Sequence, residues 1–314
     1  MNARYDVKKA LVGNTGFVGS NLEKTGCFSD TYNSSNIEAA YGTEPDLLVY
    51  AGVRSEMFTA NQNPEADMKR IKDAAHNILK INAKKVVLIS TVAVYGDAQG
   101  KTENSIIDIT ESSNYGLNRY LLECWVQDNC KDPLIIRLPA IYGINMKKNF
   151  IYDIIHFIPG LLKKDKYSQL SSKSNAIKEA YIPRGDSFYA LVPSTKEKSA
   201  ILKEEFRQLG FSALNFTDSR SKYQFYNLKH LWSHINRALE TGIRKLNITT
   251  EPLTAEEVYR YVNHGEFENH IMEKPYAYDL RTAHCHLFGG ANGYLFDKSF
   301  VLEDIKNFVE RNTL

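Results

Sequence analysis

The chain has 314 residues, a formal net charge of +2, 24% charged and 43% hydrophobic residues. This composition excludes a disordered chain, and the even mixing of Lys and Arg with Asp and Glu excludes the concentrated basic surface of a nucleic-acid binder. No apolar run approaches the ~20 residues of a membrane span. Met1–Asp6 lacks the apolar core of a signal peptide. The four cysteines, Cys27, Cys124, Cys130 and Cys285, stand without paired spacing, the usage of reduced thiols in a cytosol. A cytoplasmic protein of about two domains is expected.

In chain order, compact apolar runs alternate with helical patterns. The runs are Ala10-Leu11-Val12, Leu47-Leu48-Val49-Tyr50, Val86-Val87-Leu88-Ile89 and Leu134-Ile135-Ile136. Continuous apolar stretches of this length are expected of parallel strands covered on both faces. Between them, residues 65–81 place Met68, Ile71, Ala75 and Ile78 on one helical face, with Pro64 fit to open the helix. A second helical pattern covers 115–130, aligning Leu117, Leu121 and Trp125. The alternation predicts an α/β fold with a doubly wound parallel sheet.

The remainder is less regular. Residues 168–178 read as a mobile polar loop, 226–240 as a helix, 246–249 as a strand before Pro252, and 301–310 as a closing helix. The expected division is a nucleotide-binding domain over 1–145 and a smaller mixed α/β substrate-binding lobe over 146–314. Part of about 222–250 is expected to rejoin the first sheet.

The segment Gly13-Asn14-Thr15-Gly16-Phe17-Val18-Gly19 directly follows the first strand and opens a helix. Glycine can turn there without a Cβ penalty and admits a close pyrophosphate, which the helix N-terminus attracts. Placed in an alternating pattern, these glycines favour dinucleotide binding over an ordinary tight turn. Tyr115 and Arg119 share a helical face. Tyr5/Lys9, Tyr50/Arg54 and Tyr294/Lys298 have the same spacing, so context must choose among them. The context is Ser90-Thr91-Val92-Ala93-Val94-Tyr95-Gly96 after one strand, Tyr115 on the next helix, and Arg137-Leu138-Pro139-Ala140-Ile141-Tyr142-Gly143 after the following strand.

This ordered series resembles the extended short-chain dehydrogenase/reductase family, the NAD-dependent epimerase/dehydratases, strongly over about 8–145 and weakly beyond. The resemblance implies a Rossmann-type domain whose Gly13, Thr15, Gly16, Phe17, Val18 and Gly19 hold the cofactor pyrophosphate. It likewise implies that Ala51, Gly52, Val53 and Arg54 line the cofactor and that Pro139 lies beside the nicotinamide. Thr91 matches the catalytic Ser/Thr and Tyr115 the catalytic tyrosine. Arg119 stands where the family has lysine; it keeps the charge and can contact ribose, but cannot release a proton. For Tyr115 to act as a base near neutral pH its pKa must fall by about 3 units, which an adjacent cation and the nicotinamide ring are expected to supply.

No carboxylate follows Tyr32. Asn33, Ser34 and Ser35, with Arg54, suit a 2′-phosphate, so the reading favours NADP over NAD; turn residues ending a strand are the alternative. Val92 and Ala93 cannot transfer protons, which argues against the family's 4,6-dehydratases, and Ala93 replaces the cysteine of its epimerase-reductases. C4 epimerisation of a nucleotide-linked sugar or reduction of a ketosugar remains, in surface polysaccharide synthesis by family association. Arg220 and Arg281 are candidates for the substrate diphosphate, and Asn149 for a substrate contact. The competing reading is a non-catalytic NAD(P)-binding sensor or scaffold. A homodimer fits the resemblance. His230 with His234, and His284-Cys285-His286, lack the further ligands a metal needs, so no metal is expected. Arg184-Gly185-Asp186 is set aside as a common tripeptide.

Overall fold

A computed structural model describes residues 7–313. The Met1–Asp6 expectation and Tyr5 lie outside the described residues. The first half runs β1 (Lys9–Val12), α1 (Phe17–Thr25), β2 (Asp30–Tyr32), β3 (Leu47–Tyr50), α2 (Met57–Gln62), α3 (Pro64–Ile81), β4 (Val86–Thr91), α4 (Asn114–Asn129), β5 (Leu134–Leu138) and β6 (Ala140–Tyr142). It continues with α5 (Phe150–His156), β7 (Leu161–Lys163), α6 (Lys164–Ser171), α7 (Asn175–Ala180), β8 (Tyr181–Arg184), β9 (Phe188–Leu191) and α8 (Lys196–Gln208). The last part holds β10 (Lys222–Tyr223), β11 (Phe225–Asn227), α9 (Leu231–Thr241), β12 (Lys245–Asn247), β13 (Leu253–Thr254), α10 (Ala255–Asn263) and α11 (Lys298–Asn312).

Two compact units emerge. One comprises the residues up to Met146 with Lys222–Leu253 and Tyr276–Asp304; the other comprises Lys147–Ser221, Thr254–Pro275 and the residues from Ile305 on. The first unit holds a six-stranded sheet of order β12-β5-β4-β3-β1-β2, parallel at every pairing. It is a Rossmann-like doubly wound sheet. Because β1 pairs with both β2 and β3, the winding reverses between β1 and β3, and ligands of such sheets bind beyond the carboxyl ends of the strands at that point.

Strand alternation divides two cores. Leu11, Val49, Val87 and Ile136 face one cluster with Leu228, Trp232 and Ile235; Ala10, Val12, Leu48, Tyr50, Val86, Leu88 and Ile135 face the other with Ile71, Ile78 and Leu122. Both faces are covered, which is why the strands read as unbroken apolar runs. Asn63 caps α3 through Ala66 N, and Pro64 occupies its first turn.

Helix α4 departs from the sequence reading. Leu121 is 43% exposed, while the buried face carries Tyr115, Gly116, Asn118, Arg119, Leu122, Glu123 and Val126. Polar groups occupy the inward stripe here, so apolar periodicity pointed to the wrong face. Residues 168–178 form parts of two helices, α6 and α7, the second capped by Ser174 on Ile177 N, and are not the expected loop. The stretch 226–240 opens as strand β11, paired in parallel with β6, before α9 begins.

The second unit contains a three-stranded antiparallel sheet of order β7-β9-β8. Gly185 (φ +65°) makes its β8–β9 turn, so Arg184-Gly185-Asp186 is a hairpin corner. Tyr167 stacks on Tyr189 with centroids 3.7 Å apart, above a core of Leu162, Leu170, Ile177, Leu202 and Phe206.

His230, just before α9, and His234 within it serve packing. His234 Nδ1 shares a 2.8 Å hydrogen bond with the Tyr226 hydroxyl, and His230 Nε2 lies 3.2 Å from Asp304. No group of three or more metal-ligating side chains occurs among the described residues. Burial, helped by His230, drives His234 down to about 4 from 6.5. A depressed histidine contributes stability that is present above its unfolded pKa and is lost as pH falls from about 6.5 to about 4, by about 3 kcal/mol in full. Burial pushes Asp153 up to about 7 from 3.8, which removes stability as pH rises through much of the same window. The two slopes oppose, so the difference between proteins is diagnostic. Urea unfolding of His234→Phe from pH 7 to pH 4.5 should lose less stability than the parent over that range.

Candidate functional site

The glycine-rich turn is built by backbone contacts. Gly13 takes φ +96°, and a Cβ there would stand 2.5 Å from the Ala51 carbonyl oxygen. A Cβ on Gly19 would fall on the Gly13 carbonyl oxygen. These two glycines are fixed by how β1, α1 and the residues after β3 pack, with or without a ligand. Gly16 differs. It is exposed, has φ −78°, and is the N-cap of α1 with no side-chain cap; the first turn carries no acidic residue. The positive end of a nine-residue helix is therefore left uncompensated by the protein, as a phosphate site requires. Thr15 is exposed, and Phe17 and Val18 pack partly into the core below.

Beyond β2, Gly13 N donates to Tyr32 O at 2.7 Å, and Asn33 Nδ2 reaches Asn14 Oδ1 at 3.4 Å. Asn33 Oδ1 accepts from Ser35 N (2.9 Å) and Ser35 Oγ (2.6 Å), an Asx turn, while Ser34 is exposed. Ala51–Arg54 follows β3 directly, with the Gly13 turn against Ala51 and Gly52.

At the end of β4, Thr91 Oγ1 caps the following turn through Ala93 N (3.1 Å), and its hydroxyl is near enough to the Tyr115 phenol to favour the ionised form. Tyr115 lies in the first turn of α4. Its backbone N–H is taken by Asn61 Oδ1 of α2 at 2.9 Å, and Ser113 caps Gly116 N at 3.2 Å. Gly116 seats the helix: a Cβ there would fall on the Ala93 carbonyl oxygen, so backbone meets backbone. Pro139 follows Leu138, the register partner of Thr91. The structure thus brings the glycine turn, Ala51–Arg54, Thr91, Tyr115 and Pro139 to the carboxyl ends of the central strands.

Arg119 is buried (4% exposed) with its guanidinium carbon 3.9 Å from the Tyr115 ring centroid. Nη1 pairs with Asp67 Oδ2 of α3, and Nη2 donates to the Arg54 carbonyl at 2.6 Å. Asp67, 1% exposed, also accepts from Asn118 Nδ2 at 2.9 Å. Its Oδ1 has no hydrogen-bond partner among the described residues. Asp67 was not singled out in the sequence, yet it shares a helical face with Ile71, Ala74 and Ile78, all buried. A carboxylate within an apolar stripe is a legible signal of a buried partner. Burial raises the Tyr115 phenol above its ordinary pKa; Arg119 and Thr91 pull it down, and Asp67 pushes it further up. The expected fall is therefore not supplied by the protein alone, because burial outweighs a cation already paired with a carboxylate.

The residues assigned to substrate have local partners. Asn149 caps α5 through Tyr152 N at 2.9 Å. Arg220, in the second unit, is bound bidentately by Asp218 at 3.0 and 2.8 Å, and Arg281, in the first, pairs with Asp279 at 3.1 Å. Both guanidinium groups keep about 40% exposure.

Residues 23–172 match the model of the NAD dependent epimerase/dehydratase family. No curated protein matches it by sequence. Among solved structures it is similar to RMD of Pseudomonas aeruginosa complexed with NADPH, at 13% identity, TM-score 0.63, over 98% of this chain and 99% of that one. It is similar to dTDP-4-dehydrorhamnose reductase of Bacillus anthracis in complex with NADP, at 14% identity, TM-score 0.60, over 97% and 98%. A UDP-galactose 4-epimerase matches at 14% identity, TM-score 0.59, over 96% and 97%. At these identities the likeness establishes the shared fold.

Proposed function

We propose that the chain is an NAD(P)-dependent enzyme acting on a nucleotide-linked sugar, by C4 epimerisation or by reduction of a ketosugar. The observation that carries this reading is the Thr91–Tyr115 hydroxyl pair standing at the same sheet end as an uncapped, acid-free helix N-terminus. The residues present fit a dinucleotide: the Gly16 cradle suits the pyrophosphate, and the spare Asp67 Oδ1 suits a hydroxyl donor. Similar folds crystallised with NADPH and NADP, and an epimerase among them, support the class.

When bound, the nicotinamide gives or takes the hydride. The work of the chain is to hold the sugar oxygen between Thr91 Oγ1 and Tyr115 Oη and to move one proton at Tyr115 Oη. Arg119 keeps the ring in place by stacking and by its two backbone-directed bonds. Asn33, Ser34, Ser35 and Arg54 are proposed for the adenosine end, and Asn149, Arg220 and Arg281 for the substrate. Since Arg119 is occupied by Asp67, an NAD(P)-binding protein without turnover is the second reading. The deciding experiment is incubation of purified protein with NADPH and 4-keto nucleotide sugars. Cofactor oxidation in step with sugar reduction supports a reductase, and interconversion of 4-epimers by retained NAD supports an epimerase. Cofactor binding with neither supports the sensor.

Gly16→Asp isolates the phosphate site. Its backbone is unstrained, and the nearest atom to a Cβ, Gly13 O at 3.2 Å, has to give by only a few tenths of an ångström. A carboxylate there caps α1 and should hold or raise the melting temperature, while it repels a pyrophosphate. NADPH affinity by calorimetric titration should fall about tenfold or more, a loss of at least ~1.4 kcal/mol.

A further inference from the structure

We propose that Asp67 is a positioning residue that takes up the charge of Arg119 and so leaves Tyr115 a proton donor, which sets the site for reduction of a ketone. The inference deepens the function proposed above and rests on it for the reaction, though not for the state of the phenol.

The groups around Tyr115 come from several elements. Its own helix gives Arg119, whose guanidinium lies over the ring at 3.9 Å. Helix α3 gives Asp67, ion-paired with that guanidinium and 1% exposed. Strand β4 gives the neutral Thr91, and α2 the neutral Asn61. The Arg54 side chain is exposed, and only its carbonyl touches Arg119. The phenol therefore faces a compensated pair and no lone cation. An unpaired cation within 4–6 Å lowers an acid's pKa by about 1–3 units; a buried carboxylate on the same cation cancels much of that field. Burial already favours the neutral phenol. In the proposed step the carbonyl carbon receives hydride from reduced nicotinamide nucleotide, and the carbonyl oxygen takes the proton of Tyr115 Oη. The ketone becomes a secondary alcohol, the nicotinamide is oxidised, and the phenolate left on Tyr115 regains a proton from solvent.

The test is the ionisation of Tyr115 in the cofactor-free protein, read by NMR of 13Cζ-labelled tyrosine with the signal assigned through Tyr115→Phe. Asp67→Asn should lower the midpoint by about 1–3 pH units. The double variant Asp67→Asn with Arg119→Gln, a neutral pair of similar shape, should titrate within about one unit of the parent. A folded Asp67→Asn with an unmoved midpoint overturns the proposal, and so does a double variant raised by as much as 1–3 units. Should Asp67→Asn not fold, the double variant decides alone. With NADPH and a 4-keto nucleotide sugar, the parent's rate should fall as pH rises through the Tyr115 midpoint, and a rate that instead rises refutes the donor role. Failure to bind NADPH would sink the function proposed above while leaving the titration decisive for the pair.

Discussion

Tyr115→Phe should lower turnover of a nucleotide-linked sugar by about 10²–10⁴-fold, the range carried by one positioned acid–base group, with NADPH affinity nearly unchanged. Phenylalanine keeps the ring under the Arg119 guanidinium, keeps the backbone N–H bonded to Asn61, and fills a site only 6% exposed. Only the oxygen leaves. Single-turnover measurement with prebound NADPH, beside a calorimetric binding constant, separates the two quantities. Equal losses in binding and turnover would mean that the hydroxyl serves assembly of the site and not proton transfer. Full activity would transfer the chemistry elsewhere and remove Thr91 with it.

Glu123→Ala should cost about 3–5 kcal/mol of folding stability, the penalty of stranding one member of a buried ion pair. Glu123 (0% exposed) and Arg137 (1%) are joined at 2.6 and 3.0 Å. Ser90 Oγ donates to Glu123 Oε1 at 2.5 Å, and Arg137 Nη1 to the Tyr95 hydroxyl at 2.5 Å. Tyr95 in turn donates to the Thr102 carbonyl at 2.8 Å and meets Asn247 of β12. Removing the carboxylate leaves the guanidinium without its countercharge under α4. Against a typical total of about 5–15 kcal/mol, this is a fifth or more of the fold's stability. Replacing both partners, as Glu123→Leu with Arg137→Met, should recover most of it, because two apolar side chains need no countercharge. Urea denaturation of the two variants checks the pair, and similar losses in both would mean that packing volume, and not charge, holds α4 down.

The sheet was legible because its central strands are buried on two sides and carry short unbroken apolar runs. Leu47–Tyr50 and the 134–136 run of β5 announce themselves. What sits on the helices was less legible. In α4 the buried face carries Asn118, Arg119 and Glu123, and these are satisfied by Asp67, 51 and 52 positions away, and by Arg137, 14 positions away. Apolar periodicity does not register a polar stripe whose partners are distant in sequence. The motifs put Tyr115, Thr91 and the glycine turn at the carboxyl ends of neighbouring strands, where backbone contacts seat the turn and α4. They did not reveal that Arg119 already has a partner. In the second unit the β7-β9-β8 sheet escaped notice, as its strands have only three or four residues and two of them are mostly exposed. Polar content made α6 and α7 look like a loop, whereas buried Leu170 and Ile177 anchor them and Ser174 caps α7.

The contact between Gly116 and Ala93 joins two stretches of main chain with no side chain between them. Main-chain atoms have no alternative rotamers, so the spacing of the backbones that carry Thr91 and Tyr115 does not soften when neighbouring side chains begin to exchange conformations on warming. The pair should hold its alignment up to the temperature at which β4 itself comes apart, and loss of alignment and loss of the sheet would then be one event.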